Sequence, residues 1–246
     1  MIEDFIVVIP ARFDSIRLPG KPLADIGGRP MIEWVYYRAC QSGADLVIIA
    51  TDDERIADAG RNVGATVEFT ASHHKNGTDR IAEVAKRYEW SDDQIVVNVQ
   101  GDEPLLPSAL ISQVADLLRG DSNAAIATLV TPICSRDEWQ DPNLVRVVVD
   151  RQDRALYFSR APIPWSREGG TPSSLRHVGL YAYRVGALKQ LALTPSCELE
   201  RIECLEQLRA LWLGMKIIVA EACEVPPRGV DTAEDLDAVR LQCNSV

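Results

Sequence analysis

Three short apolar runs constrain this chain more than any other feature: Phe5-Ile6-Val7-Val8-Ile9, Leu46-Val47-Ile48-Ile49-Ala50 and Ile95-Val96-Val97-Asn98-Val99. Runs of this length with almost no polar alternation read as strands covered on both faces. Helical spacing fills the stretches between them. Residues 30 to 42 carry Met31, Val35 and Ala39 on one stripe, with Gly43 beyond as a stop. Thr51-Asp52-Asp53-Glu54 opens a helix over about residues 55 to 63, because acidic groups suit a helix N-terminus. Residues 66 to 69 predict a short strand, and 78 to 88 and 107 to 119 predict helices. The alternation predicts an α/β fold: a mostly parallel sheet flanked by helices on both faces.

The rhythm changes after about residue 120. Strand patterns at 124 to 130, 145 to 149, 155 to 159 and 178 to 183 have few helices between them, which predicts a smaller mixed or antiparallel β extension. Residues 166 to 174, bearing glycine, serine and proline, read as a mobile loop. A long helix is expected over 198 to 213, with Ile202, Leu205, Leu208 and Trp212 on its buried stripe. A strand at 217 to 220 and a terminal helix from Thr232 complete the chain. No repeat or linker divides it, so residues 1 to 246 are expected to form one domain, with the extension at about 130 to 200.

Composition excludes some functions. Apolar residues make up 46% of the chain, enough for a large core, and 26 basic against 36 acidic residues give a net charge of −10. That balance argues against nucleic acid or an anionic membrane as partner. The six cysteines show no C-x-x-C spacing, and the three histidines are too dispersed for a zinc site. Met1 leads straight into a strand without a signal-like segment, so a soluble, reduced, cytoplasmic protein is expected.

Against that acidic average, the loop after the first strand stands out. It places Arg12, Arg17 and Lys21 within ten residues, and its Pro19-Gly20 turn lets backbone approach a ligand. Guanidinium forks and a lysine point charge suit a polyphosphate. The glycine spacing is neither that of a Walker A loop nor that of a dinucleotide fingerprint. Ligands of open parallel sheets bind beyond the carboxyl ends of the strands. There the third strong run ends in Gln100-Gly101-Asp102-Glu103-Pro104, and Asp102 is placed to hold a hard cation such as Mg2+.

A second carboxylate is expected, and Asp231 is the best candidate. It reads equally as an N-cap with Glu234 three residues on, and the two roles are compatible. Glu103 reads as a turn residue or early cap. In His73-His74-Lys75-Asn76-Gly77-Thr78-Asp79-Arg80, local spacing alone favours plain N-capping by Thr78, although Gly77 and Thr78 could also read a base edge. Arg160, Arg176, His177, Glu206 and Gln207 could hold an anionic or hydroxylated co-substrate. Taken alone, Glu206 and Gln207 read as solvated helix flanks.

The ordered set of these segments resembles the 3-deoxy-manno-octulosonate cytidylyltransferases, the CMP-Kdo synthetases. It comprises Ile9-Pro10-Ala11-Arg12 with residues 15 to 23, Gly77-Thr78-Asp79-Arg80 and Val97 through Pro104. It continues with Ala155 through Ala161, Arg176-His177-Val178-Gly179, Leu205-Glu206-Gln207-Leu208-Arg209 and Gly229-Val230-Asp231-Thr232. The resemblance spans nearly the whole chain. It implies a Rossmann-like nucleotidyltransferase fold, usually dimeric, using CTP and Mg2+ to activate a sugar acid for lipopolysaccharide biosynthesis.

Carried over by position, Arg12, Arg17 and Lys21 would grip the CTP phosphates beside Pro10 and Ala11. Asn76, Gly77, Thr78 and Arg80 would lie near the cytidine. Asp102 and Asp231 would hold magnesium, while Gln100, Arg160, His177, Tyr181, Glu206 and Gln207 would hold the sugar. His177 would orient the sugar more than take its proton. Asn76 and Asp79 stand where the family pattern has serine and glutamate, and the 166 to 174 loop is shorter. The resemblance implies that the sugar would be Kdo or its 8-amino-8-deoxy form. Other readings are a nucleotidyltransferase for sialic acid or an alcohol phosphate, a glycosyltransferase, and a non-catalytic nucleotide sensor; no Asp-x-Asp follows a strand to support the glycosyltransferase.

Overall fold

The computed structural model describes residues 4–14, 18–74, 76–170, 172–227 and 229–243. Arg17, and Thr171 of the glycine-bearing loop, lie outside these residues. The first half alternates as its apolar pattern dictates. Strand β1 (Ile6–Ala11) leads through a small hairpin, β2 (Asp25–Ile26) and β3 (Arg29–Pro30), into helix α1 (Met31–Cys40). There follow β4 (Leu46–Thr51), α2 (Glu54–Asn62), β5 (Thr66–Phe69), α3 (Gly77–Arg87), β6 (Ile95–Asn98) and α4 (Ser108–Gly120).

The second half is β7 (Ile126–Pro132), α5 (Arg136–Gln140), β8 (Arg146–Val149), β9 (Ala155–Ser159), β10 (Leu175–Arg184) and α6 (Val185–Leu193). It closes with α7 (Glu198–Glu203), α8 (Gln207–Trp212), β11 (Ile217–Glu221) and α9 (Ala233–Cys243).

The main sheet runs β11-β7-β10-β6-β1-β4-β5, with β8 on β10 and β9 on β8. β1 is parallel to β4 and β6, β4 to β5, and β7 to β11. β10 is antiparallel to both β6 and β7, and β8 and β9 carry the antiparallel pairing outward. The smaller mixed extension is therefore present, grafted beside a parallel sheet.

All six residues of β1 are buried, and the pleat divides them between two cores. Val7 and Ile9 pack with Val35 of α1, Ile56 of α2 and Val114 of α4. Ile6 and Val8 pack on the other face with Ile81 of α3, Leu188 of α6 and Leu208 of α8. Burying each such aliphatic side chain stabilises by about 1.5–3 kcal/mol, so this strand anchors the loop that follows it. A third, smaller cluster joins Ile26, Met31, Val230, Leu236 and Val239. It fastens α9 to the hairpin after β1 and so returns the end of the chain to its beginning.

One long helix over 198 to 213 does not form. Cys204 adopts a left-handed backbone, φ 54 and ψ 47, between α7 and α8, and the amides of Cys204 and Leu205 both return to Glu200 O. The corner rotates the stripe apart: Leu205 and Leu208 stay buried, while Ile202 and Trp212 are 70% and 61% exposed. Helices α5 and α6, absent from the sequence-based pattern, fill the gaps between the later strands.

Candidate active site

The order β6-β1-β4 places the end of β1 where the connections diverge to either side, the position at which an open sheet leaves a crevice. A cleft of about 560 Å³ opens there. Its floor begins with Pro10 and Ala11 at the end of β1, followed by Arg12 and Lys21 from the loop.

That loop is shaped by Gly20, whose φ of +69 is left-handed and whose missing Cβ would meet the Phe13 ring at 2.9 Å. Gly20 N–H donates to Phe13 O at 3.0 Å, and the Arg55 guanidinium stacks over the Phe13 ring at 3.4 Å. The loop is held from below, and Arg12 and Lys21 are left to the cleft.

Lys21 is the hub of the charged end. Its Nζ donates to Asp102 Oδ2 at 2.5 Å, to Val230 O at 2.9 Å and to Asp231 Oδ1 at 3.2 Å. Asp102 follows β6 and Asp231 precedes α9. The two segments are tied by Val230 N–H donating to Asp102 O at 2.8 Å. Withdrawal from water, then repulsion by Asp102 and Asp231, push the Glu103 carboxyl up to about 8. Two carboxylates thus converge on the Lys21 ammonium, with the protonated Glu103 carboxyl nearby.

Asp231 does not cap α9. Thr232 does, its Oγ1 accepting from Asp235 N–H at 3.2 Å while the Asp235 carboxylate accepts from Thr232 N–H at 2.9 Å. Asp231 is thereby freed to face Lys21.

The second wall is the start of α3. Asn76, not Thr78, is its N-cap, its Oδ1 accepting from Asp79 N–H at 2.8 Å. Asparagine here performs the capping that the local pattern had assigned to Thr78. The Thr78 hydroxyl instead donates to Glu206 Oε2 at 3.2 Å. Arg80 lines the cleft but is 3% exposed and already paired, donating to Asp52 Oδ2 at 3.1 Å and to Thr70. It braces the wall and is not a free cation.

The third wall is uncharged or nearly so. Gln100 donates to Asn98 Oδ1 at 3.3 Å. His177, Tyr181 and Tyr183 line the cleft from β10, and Glu206 and Gln207 from the α7–α8 corner. Withdrawal from water pushes His177 down to about 3, so its imidazole is neutral. The Tyr181 phenol is pushed well up by the same cause. Glu206 opens toward the cleft mouth, yet loss of water around its carboxylate, with Asp79 and Glu200 nearby, raises its pKa.

The corner is fixed by Arg209. Its Nε and Nη2 grip Glu200 at 2.8 and 2.5 Å, and its Nη1 donates to Leu191 O and Thr194 O at 2.9 Å each.

The expected site residues therefore meet in one cleft, with three exceptions. Arg17 lies outside the described residues. Arg160 is not among the cleft-lining residues: its Nε donates to Glu203 O at 3.0 Å and its backbone N–H to Glu203 Oε2 at 3.0 Å. Arg176, donating to Thr131 Oγ1 at 3.1 Å, is likewise not among the cleft-lining residues. Sequence reasoning missed Asn98, Tyr183 and Arg209 as cleft residues. Asn98 was signalled by its polarity inside an apolar run, and Tyr183 by standing two positions after Tyr181 on one strand face.

Comparison with known proteins agrees with this geometry. The profile of the cytidylyltransferase family matches residues 6–217. The chain is 55% identical to a 3-deoxy-manno-octulosonate cytidylyltransferase of Photobacterium profundum, over 96% of this chain and 98% of that protein. It is 56% identical to one of Tolumonas auensis, over 96% and 95%.

Among solved structures, CMP:2-keto-3-deoxy-manno-octonic acid synthetase complexed with CTP superposes with a TM-score of 0.91. The identity is 42%, and 98% of this chain and 99% of that one are covered. A cytidylyltransferase of Leptospira borgpetersenii, 18% identical with a TM-score of 0.66 over 98% and 87%, shares the fold.

Proposed function

This chain belongs to the cytidylyltransferase family, and from that premise we propose that it transfers the cytidylyl group of CTP to 3-deoxy-manno-octulosonate. The products are the CMP-sugar and pyrophosphate. One observation carries the reading. A single cleft joins an end where Lys21, Asp102 and Asp231 concentrate charge to a wall of hydrogen-bonding groups of low charge, His177, Tyr181 and Gln207. A triphosphate suits the first and a polyhydroxylated sugar the second.

The anomeric hydroxyl of the sugar attacks the α-phosphorus and yields its proton to solvent, the bond to the oxygen bridging to the β-phosphorus breaks, and pyrophosphate leaves. Such transfer asks mainly for positioning and charge stabilisation. Lys21, anchored at three oxygens, and Arg12 at the loop offset charge on the departing pyrophosphate. The opening of α3 borders the nucleotide end, and Gly77 keeps it close to β1, since a Cβ there would meet Pro10 Cγ at 2.9 Å.

Asp102 and Asp231 fit Mg2+: both already converge on one cation, and magnesium takes one or two carboxylates with phosphate and water completing its shell. Asp102 and Asp231 would hold it, and it would supply Lewis-acid polarisation of phosphate and hydroxyl oxygens.

The proposal extends to a cytoplasmic homodimer acting in lipopolysaccharide biosynthesis, built as one domain whose 130–200 extension carries sugar-binding and subunit contacts. No helix among the described residues is long and apolar enough to cross a membrane. Leu156, Ile202 and Trp212 are exposed on β9, α7 and α8, and that apolar surface supports a subunit contact.

The test is pyrophosphate release from CTP with Mg2+ and, in parallel, Kdo, its 8-amino-8-deoxy analogue, N-acetylneuraminate or no sugar. Release with Kdo supports the assignment. Release with the 8-amino sugar alone moves it to that substrate, and release with no octulosonate refutes it.

A further inference from the structure

Thr128 lies on β7, fully buried, opposite the irregularity in β10 between Val178 and Tyr181. Its hydroxyl oxygen is 2.8 Å from Leu180 O, 3.1 Å from Val178 O and 3.1 Å from His177 Nε2. Carbonyl oxygens only accept, and a hydroxyl has one proton, so that proton goes to a carbonyl. The contact with the imidazole is then attractive only if Nε2–H donates to Thr128 Oγ1. The other tautomer would set three acceptors around one proton and press a bare lone pair against an oxygen.

The ring is fixed on its sides as well. Phe158 packs edge-on with centroids 5.2 Å apart, and the Tyr181 ring lies at 5.1 Å. Burial keeps the imidazole neutral. No hydrogen bond from a described residue reaches Nδ1, and His177 lines the cleft. Beside it the buried Tyr181 hydroxyl has no partner among the described residues and borders the same space.

We propose that Thr128 is a positioning residue that fixes His177 as the Nε2–H tautomer, so that Nδ1 accepts a hydrogen bond from a hydroxyl of the sugar. The inference rests on the sugar-transfer function proposed above and refines it. A bare Nδ1 repels a carboxylate, which has no proton to give. His177 therefore reads a hydroxyl group, and the acid group of the sugar is held elsewhere in the cleft. A lone buried tyrosine hydroxyl, able to donate or accept, completes the pair.

Two measurements test this. Histidine 15N–1H NMR on the wild-type protein near neutral pH, with His177 assigned by loss of its signals in His177→Gln, should show a protonated Nε2 and a bare Nδ1. Pyrophosphate-release kinetics should show Thr128→Val, which deletes the hydroxyl at nearly constant shape, raising KM for the sugar about tenfold. KM for CTP should stay unchanged, and Thr128→Ser should restore the sugar KM.

An Nδ1–H tautomer or an imidazolium in the wild-type spectrum overturns the proposal, as does Thr128→Val with an unaltered sugar KM. The wild-type spectrum decides the tautomer even if Thr128→Val does not fold. Failure of the proposed function has a different signature: no pyrophosphate release from wild type with any octulosonate, whatever the spectrum shows.

Discussion

Replacing Lys21 with Met keeps most of the buried stem and removes the ammonium that Asp102 and Asp231 share. The side chain is 12% exposed, against 33% for Asp102 and 47% for Asp231. The contact with Asp102, at 2.5 Å, is the sheltered one, and a hydrogen bond between charged groups contributes about 1.5–3 kcal/mol. The longer contact with exposed Asp231 adds less than about 1 kcal/mol. Together the loss is about 2–3 kcal/mol in the absence of metal, which for a chain of this length lowers Tm by roughly 5–10 °C.

Repulsion between Asp102 and Asp231 then goes uncompensated, so added Mg2+ should restore more stability to the variant than it gives wild type. On the catalytic side, loss of one preformed charge at the leaving group costs on the order of 10²–10³ in kcat. Calorimetry in chelator and with Mg2+, beside pyrophosphate release at saturating CTP, reads both. Wild-type turnover together with an unshifted Tm in chelator would refute the assignment of Lys21 as the hub.

Asp102→Asn should abolish measurable turnover while calorimetric titration still detects CTP, because Arg12 and Lys21 remain; full activity would remove Asp102 from the metal pair. Arg209→Met leaves Glu200 buried without its partner and should cost about 3–5 kcal/mol in urea unfolding, with Glu200→Met added to it recovering part of the loss. The His177 pKa is about 3 when folded and ~6.5 when unfolded. The unfolded chain therefore binds that proton first, and the stability His177 contributes is complete above about pH 6.5 and declines below it. The decline is at most about 1.4 kcal/mol per pH unit, so urea unfolding of His177→Gln should vary less steeply than wild type between about pH 6.5 and 5; equal slopes refute a neutral buried imidazole.

Local pattern carried the parallel half of the molecule. The apolar runs of β1, β4 and β6 have one outcome, because strands buried on both faces need helices to cover them. The charged end of the cleft was legible for the same reason: Arg12, Lys21 and Asp102 follow those strands directly. Caps and breaks were not legible where two side chains could serve. Asn76 or Thr78 could cap α3, and Asp231 or Thr232 could cap α9. The choice was made by distant partners, Glu206 for Thr78 and Lys21 for Asp231. The break at Cys204 is a backbone event with no glycine or proline to announce it, stabilised nine residues apart by Glu200 and Arg209. Arg160 looked like an anion ligand because it ends a strand, and in the structure its Nε donates to Glu203 O outside the cleft lining.

The direction of β10 explains why the sugar wall was the harder half to read. For parallel strands the cleft begins where the strand ends, so a search just past β1 and β6 finds the phosphate-facing charges. β10 runs the other way: Tyr181 pairs with Asn98, the last residue of β6, and Tyr183 with Val96. Residues upstream of Tyr181 therefore project beyond the end of β6, and the cleft end of β10 is its N-terminal half. His177 sits there, inside the strand, where sequence shows only a polar residue among apolar ones. Interior strand positions are sheltered from water, which keeps an imidazole neutral and phenols protonated. One antiparallel strand set among parallel ones thus divides the cleft by polarity. Strand ends and loops place fixed charge at one end of the cleft, and a strand interior places uncharged donors and acceptors at the other.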